Sequence, residues 1–169
     1  KNFKSTKFKI LEIKSLKLNR IIKINIKNKN NLGSDRIANA IGAKKLKNCL
    51  IIDFGTATTF DVIKDGTYEG GVIAPGINLS IKNLSQATAL LPLINLKTNQ
   101  KNYGKNTIEA LNAGFVWGYE GLINNIIDKI TSKSKIKYKI LLTGGYANFF
   151  NKMIKKKVLI DQDITIKGI

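Results

Sequence analysis

The sequence predicts an α/β fold, a mixed sheet with flanking helices, and three observations carry that prediction. The run Cys49-Leu50-Ile51-Ile52 is continuously apolar, as in a strand covered on both faces. Two further strand patterns, 58–63 and 67–74, follow it across the turn Asp65-Gly66. From 106 to 130 the apolar residues return every three or four positions, which is the helical period. Read along the chain, the elements from residue 49 onward run β-β-β-α-α-β-α.

The first part of the chain alternates apolar and basic residues over 7–13 and 20–26, the period of half-exposed strands. A polar loop over 27–32 leads to a helix beginning near Ser34 or Asp35. Ile37, Ile41 and the alanines give it an apolar face, and Gly42 lies near its end. The hairpin over 49–63 and the strand 67–74 then form three antiparallel strands in a row. Residues 77–89 have a helical pattern that Leu91-Pro92 ends, and the loop 95–105 follows. Asn106, with Glu109 three positions on, is an N-terminal cap for the long helix. Ile108, Leu111, Phe115, Tyr119, Leu122, Ile126 and Ile130 make one face of that helix. Ala110, Gly114, Gly118 and Gly121 make a second stripe. Glycine inside a helix costs about 1 kcal/mol relative to alanine, so the stripe implies close approach of another backbone. That backbone belongs either to a helix of the same molecule or to a second subunit. Residues 137–142 give a strand, Gly144-Gly145 a sharp turn, and 147–156 a short helix. The last residues, Gly168-Ile169, carry no evident helix-closing signal.

Length and composition narrow the function classes. The chain has 169 residues, enough for a core of its own. Its formal charge of +18 would ordinarily suggest nucleic acid or an anionic surface. The carriers argue otherwise: all 29 basic residues except Arg20 and Arg36 are lysine, spread among isoleucine and asparagine as in the product of an AT-rich genome. Arginine forks and interleaved aromatics, the usual equipment for reading nucleic acid, are scarce. With no histidine and one cysteine, imidazole-based triads, imidazole metal sites and disulfide frameworks are excluded. Cys49 reads as a core residue. No apolar run is long enough to span a bilayer and no leader pattern is visible, so the expectation is a cytoplasmic protein without nucleic-acid or membrane partners.

The chemistry concentrates at Asp53-Phe54-Gly55-Thr56-Ala57-Thr58-Thr59. A carboxylate leaves a buried strand, a glycine allows a tight turn whose N–H groups could converge on an anion, and the hydroxyls of Thr56, Thr58 and Thr59 lie alongside. The same residues also suit a solvent-exposed hairpin with side chains capping the turn. A phosphate here would meet a β-turn, and neither G-x-x-x-x-G-K-[ST] nor G-x-G-x-x-G occurs in the chain. Asp35, a carboxylate beside Arg36 at a helix start, could serve as a general base. It or Ser34 could equally cap the helix, with Arg36 a solvated neighbour.

Taken in order, Gly33-Ser34-Asp35-Arg36, Asp53 to Asp61, Gly70-Gly71-Val72-Ile73-Ala74-Pro75-Gly76, Gly104-Lys105-Asn106-Thr107 and Leu142-Thr143-Gly144-Gly145 resemble the motifs of type III pantothenate kinases. These belong to the acetate kinase, Hsp70 and actin superfamily, and the resemblance runs from about Leu32 to the C-terminus. It implies an actin-like ATPase (ribonuclease H-like) lobe and ATP-dependent phosphorylation of pantothenate, the first step towards coenzyme A. By resemblance, Gly33, Ser34, Asp35 and Arg36 bind pantothenate and Asp35 takes the proton from its hydroxyl. Thr56 contacts ATP phosphate, Asp53 holds a monovalent cation (potassium or ammonium), and Mg²⁺ accompanies the nucleotide. Thr107 reaches pantothenate from the neighbouring subunit of a homodimer, and Gly144-Gly145 lie beside the adenosine. Members of the family open with an Asp-x-Gly-Asn-Thr phosphate loop that this sequence lacks, so it reads as a fragment. Residues 1–47 would be the remnant of the first lobe, with the substrate motif, and 48–169 the second lobe. The family tends to carry an aromatic residue several positions before Gly33, where Ile26-Lys27-Asn28 stand here. Two other readings remain: a regulatory relative of the same fold without catalysis, and a basic nucleic-acid binder.

Overall fold

The computed structural model describes residues 11–98 and 102–169. Six strands form one mixed sheet in the order β1-β4-β3-β2-β5-β6. They are β1 (Lys23–Ile24), β2 (Cys49–Phe54), β3 (Ala57–Lys64), β4 (Thr67–Pro75), β5 (Lys139–Gly144) and β6 (Val158–Ile160). The helices are α1 (Ser34–Gly42), α2 (Ile77–Ala87), α3 (Thr107–Thr131), α4 (Ala147–Phe150) and α5 (Ile164–Lys167). β2, β3 and β4 are antiparallel neighbours, while β5 runs parallel to β2, and β6 to β5. The predicted mixed sheet with flanking helices is therefore what the chain builds.

Because β2 is central, both its faces are buried, and alternation divides its residues between two core layers. Leu50, Ile52 and Phe54 pack with α2, α3 and α4 residues such as Ile77, Ile123 and Phe150. Cys49 and Ile51 face the other way, against Ile37, Ala40 and Ile164 of α1 and α5. Cys49 is fully buried, and burial pushes its thiol up to about 12. The Asp65-Gly66 turn has φ of 49° and 73°, the left-handed pair that a two-residue hairpin requires.

Several expectations need correction. Residues 7–10 lie outside the described residues, and 11–13 form no strand; Ile13–Ser15 is a 3-10 turn. The 20–26 pattern contracts to the two residues of β1, preceded by the 3-10 turn Leu18–Arg20. Short strands at an edge take little from periodicity, since β1 has one neighbour, β4, and pairs with it through Lys23 and Ile24. The helix expected over 147–156 ends as a 3-10 turn at Met153, and β6 and α5 follow, neither of which the sequence pattern shows. Gly168 does close a helix: its N–H donates to the Thr165 carbonyl.

The long helix has its predicted cap, with Asn106 Oδ1 accepting from the Glu109 N–H at 3.0 Å. Its buried face is rotated from the predicted one, however. Asn112, Ala113, Val116, Tyr119, Ile123, Asn124 and Ile127 are buried, whereas Ile108 is 57% exposed and Leu111, Phe115, Leu122, Ile126 and Ile130 pack at the flank. The two asparagines explain the displacement. Asn112 exchanges hydrogen bonds with the backbone of Lys97 (2.8 and 3.1 Å). Asn124 donates to the Met153 carbonyl at 3.0 Å and accepts from the Lys155 N–H at 2.9 Å. Buried amides that satisfy crossing backbone look like surface residues in a hydrophobic pattern.

Phe150 sits at the meeting point of the layer under α3. Its ring lies 5.7 Å from Phe54, 5.0 Å from Phe149 and 6.4 Å from Tyr119. Phe150→Ala should therefore lower unfolding free energy by about 3–5 kcal/mol, read from urea melts; a loss below about 1 kcal/mol would mean that the aromatic cluster adds little.

Candidate active site

The alternation that divides β2 also builds the site. Asp53 continues the face of Cys49 and Ile51, and the β2–β3 register sets Asp53 opposite Thr59 and Ile51 opposite Asp61. Asp53, Thr59 and Asp61 thus share the face on which α1 packs. Asp35, Asp53, Gly55, Thr56, Ala57, Thr59 and Leu79 line one cavity of about 310 Å³. Residues from two separate motifs, 33–36 and 53–59, come together there.

Two details of the predicted phosphate turn change. Thr58 alternates to the opposite face, with Phe60, and is fully buried, so its hydroxyl does not reach the cavity. The Gly55 N–H donates to the Ala57 carbonyl at 3.1 Å, so that amide is committed within the hairpin. Nor is Gly55 the glycine that the turn requires. A Cβ at Gly76 would collide with the Thr56 carbonyl oxygen, and Gly144 has φ +82° with Asp53 Oδ1 2.7 Å from where its Cβ would stand. Those two glycines let the start of α2 and the end of β5 close on the hairpin.

Asp53 is half-buried. Burial pushes its carboxyl above the ordinary range, a hydrogen bond from Asn39 works against that rise, and the charge of Asp35 adds to it. Asn39 Nδ2 donates to Asp53 Oδ2 at 2.8 Å. Asp35 itself is exposed and follows Gly33, which is the N-cap residue of α1, so neither Ser34 nor Asp35 serves as cap. A Cβ on Gly33 would strike Asp35 Oδ1.

Arg36 takes a course that the sequence did not suggest. It is no solvated neighbour, and it does not line the cavity. Its Nε and Nη2 reach Asp61 Oδ1 at 2.8 and 2.6 Å. Asp61 is fully buried and also accepts from the Tyr68 hydroxyl at 2.7 Å and from Thr59 Oγ1 at 3.4 Å. Burial raises the Asp61 carboxyl, and the arginine and the two hydroxyls oppose the rise. Burial acts to lower Arg36, but the Asp61 hydrogen bond and charge outweigh it. A Cβ at Gly71 would meet both the Phe60 carbonyl and Arg36 Nη2, which gives the second glycine of Gly70-Gly71 its reason. Asp61 stood in the sequence motif as its last letter, without a role; a carboxylate inside an alternating strand, on the same face as Asp53, was the available signal.

Thr107 is placed elsewhere. It opens α3 and lines a separate apolar groove of about 630 Å³ between α2 and α3, with Leu84, Leu111, Gly114, Phe115 and Gly118. A Cβ at Gly114, Gly118 or Gly121 would meet nothing within 4 Å. Nothing among the described residues, then, packs directly on these three glycines, although α2 borders the groove beside Gly114 and Gly118. Among the described residues no group of three or more His, Cys, Asp or Glu forms a metal cluster, and no helix is long and apolar enough to cross a membrane.

The raised Asp61 carboxyl has a consequence for stability. Between the ordinary aspartate value of 3.8 and its higher folded value, the folded state binds more protons than the unfolded one. Stability attributable to Asp61 is then greatest at acid pH, declines as pH rises through that window, and levels off beyond it. The urea midpoint of the wild type, referenced to Asp61→Asn, should fall from about pH 4 upward. A midpoint difference that rises instead would show that Arg36 dominates burial.

Comparison with known proteins identifies the family and the fold. The family profile described as type III pantothenate kinase matches residues 2–129. The chain is 51% identical over 164 residues to a type III pantothenate kinase of Pelagibacter ubique, covering 96% of this chain and 66% of that protein. It is 40% identical over 141 residues to one of Ruegeria sp., covering 82% and 54%. It thus spans less than two thirds of these curated relatives. Among solved structures, a putative Baf family transcriptional activator from Campylobacter jejuni superposes with TM-score 0.64 at 24% identity, over 89% of this chain and 67% of that one. The Alp12 filament protein gives 0.55 at 18% identity, over 79% and 50%. These likenesses concern the fold, which is an actin-like ATPase lobe. By the match over 2–129, which takes in both aspartates of the cavity and the threonine of the groove, the chain belongs to the type III pantothenate kinase family.

Proposed function

We propose that the protein of which this chain is part transfers the γ-phosphoryl group of ATP to the hydroxyl of pantothenate. The observation that carries the reading is the single cavity shared by Asp35, Asp53 and Thr56. Phosphoryl transfer needs little covalent help from the protein; it needs a proton acceptor, placed phosphates and neutralised charge. In this reading Asp35, exposed at the head of α1, accepts the pantothenate hydroxyl proton. Gly33 and Ser34 hold the substrate, and the Thr56 hydroxyl meets ATP phosphate. Arg36 contributes by tying the head of α1 to the sheet, with any contact to substrate left to the edge of its guanidinium that Asp61 does not occupy.

A monovalent cation fits Asp53. One of its oxygens is engaged by Asn39, the other stands at the Gly144 turn, and a single carboxylate oxygen supplemented by carbonyls suits a singly charged hard ion better than a transition metal. Such an ion, and Mg²⁺ carried by the nucleotide, would offset phosphate charge beside a carboxylate. The division into a first-lobe remnant over 1–47 and a second lobe over 48–169 belongs to the same proposal, as does a reducing cytoplasmic setting, although β1 and α1 of the first segment join the sheet and core of the second. The other half of the nucleotide clamp would come from a first lobe with its own phosphate turn.

The protein acts as a homodimer in this reading. The exposed Ile108 and Trp117 of α3 and the open glycine stripe would pack against a second copy and bring Thr107 to its partner's substrate. Support comes from the chemistry of the groove, apolar and bordered by small residues that permit close helix approach.

Two experiments on the full-length protein test this. Asp35→Asn removes proton acceptance while leaving Gly33 as cap, so turnover should fall by about 10²–10⁴ with folding intact; retention of more than about a tenth of wild-type turnover would remove Asp35 from its role. Gly118→Leu should abolish association and pantothenate binding together. Sedimentation of an active wild-type monomer would refute the shared site.

A further inference from the structure

The one-turn helix α5 reaches the cavity through a single buried amide. Thr165 Oγ1 donates to Asn39 Oδ1 at 2.6 Å, and Asn39 Nδ2 donates to Asp53 Oδ2 at 2.8 Å. Asn39 is 0% exposed, so water offers neither end of its amide an alternative partner. An asparagine amide has one accepting end and one donating end, and turning it over exchanges them. Thr165, by donating, holds the oxygen toward α5 and leaves the N–H to face Asp53. Without that donation the amide could turn and set its oxygen against a carboxylate oxygen, leaving a buried acceptor unmatched. The seat of α5 allows little slip. A Cβ at Gly168 would strike the Ala38 carbonyl, and one at Gly42 would strike the Ile164 carbonyl. The residues flanking Thr165 are therefore in backbone contact with the helix that carries Asn39.

We propose that Thr165 is a positioning residue of the cavity: acting through Asn39, it fixes the orientation of the Asp53 carboxylate. Its kinetic consequence rests on the phosphotransfer reading above; its structural consequence does not. Groups that orient a functional carboxylate from behind commonly matter about 10- to 100-fold.

The test uses the full-length protein with ATP and pantothenate. Thr165→Val keeps the shape and removes the donor, whereas Thr165→Ser keeps the donor and loses the methyl. Val should lower kcat about 10- to 100-fold with the pantothenate KM within about threefold, and Ser should restore kcat to within about threefold of wild type. Ile164→Val, a methylene lost from the same helix, should lower the urea midpoint and keep kcat. A Val variant within about twofold of wild type, Ser as impaired as Val, or Ile164→Val as impaired as either would overturn the proposal. The side-chain amide protons of Asn39, identified by NMR through their disappearance in Asn39→Ala, give a readout without turnover. Their exchange should quicken about tenfold or more in Thr165→Val, and unchanged exchange would overturn the proposal as well. A wild type with no turnover whose Asn39 amide still responds to Thr165→Val would sink the kinase reading and uphold the positioning role.

Discussion

The buried pair of Arg36 and Asp61 is the interaction on which the geometry of this molecule turns. A carboxylate at 0% exposure is costly unless hydrogen bonds and a counter-charge meet it, and Asp61 has Arg36, Tyr68 and Thr59. Arg36 follows Asp35 directly, so the pair that satisfies the sheet interior also fixes where the exposed carboxylate of α1 can stand. Gly71 and the Phe60 carbonyl bound the guanidinium on its far side. The head of α1 is therefore held by charge and its tail, at Gly42, by backbone contact with α5. Between these two anchors lies Asn39, and Asp53 is reached from it. Burial of ion pairs often contributes little net stability; here it specifies one placement of a helix against a sheet.

The parts of this arrangement that were legible in the sequence are those governed by local periodicity. The doubly buried β2, the turn at Asp65-Gly66 and the cap of α3 at Asn106 follow from short-range rules about alternation, glycine and capping, whereas the grouping of the 33–36 and 53–59 motifs came from the family resemblance. The misplaced face of α3 shows where such rules stop. Leu111, Phe115 and Leu122 do form a stripe, but Asn112 and Asn124 occupy the core side because two crossing segments, at Lys97 and at Met153 and Lys155, need hydrogen-bond partners. That need is created by tertiary contacts and has no local trace. Thr58 was lost to the site by plain alternation, which the threonine-rich turn concealed. Arg36 reads from sequence as a solvated neighbour of Asp35 because its partner lies 25 residues away. The α5 turn and its Thr165 were missed because four residues are too few for a period.

Electrostatics sharpen the contrast between the two carboxylates of the cavity. The chain carries +18, yet around the cavity the charge of Asp35 raises Asp53 further. Asp35 is open to solvent, whereas Asp53 is half-buried with one oxygen already engaged. The environments thus differ: solvent surrounds the first, while burial disfavours the charged form of the second. Separation of paired acids by environment is how one site acquires two roles from a single residue type.

The same logic explains why a glycine can be neutral in one helix and indispensable at a turn in this fold. Gly114, Gly118 and Gly121 face open space within the chain, so alanine there would cost nothing in contacts and would favour the helix. Gly42, Gly71, Gly76 and Gly168 each face a backbone carbonyl at a distance that no Cβ tolerates. Three of those four lie on the path from α5 through α1 or the β4 end to the cavity. Internal packing therefore accounts for the second group and offers no account of the first. Among the described residues that stripe costs helix stability with no contact to offset it.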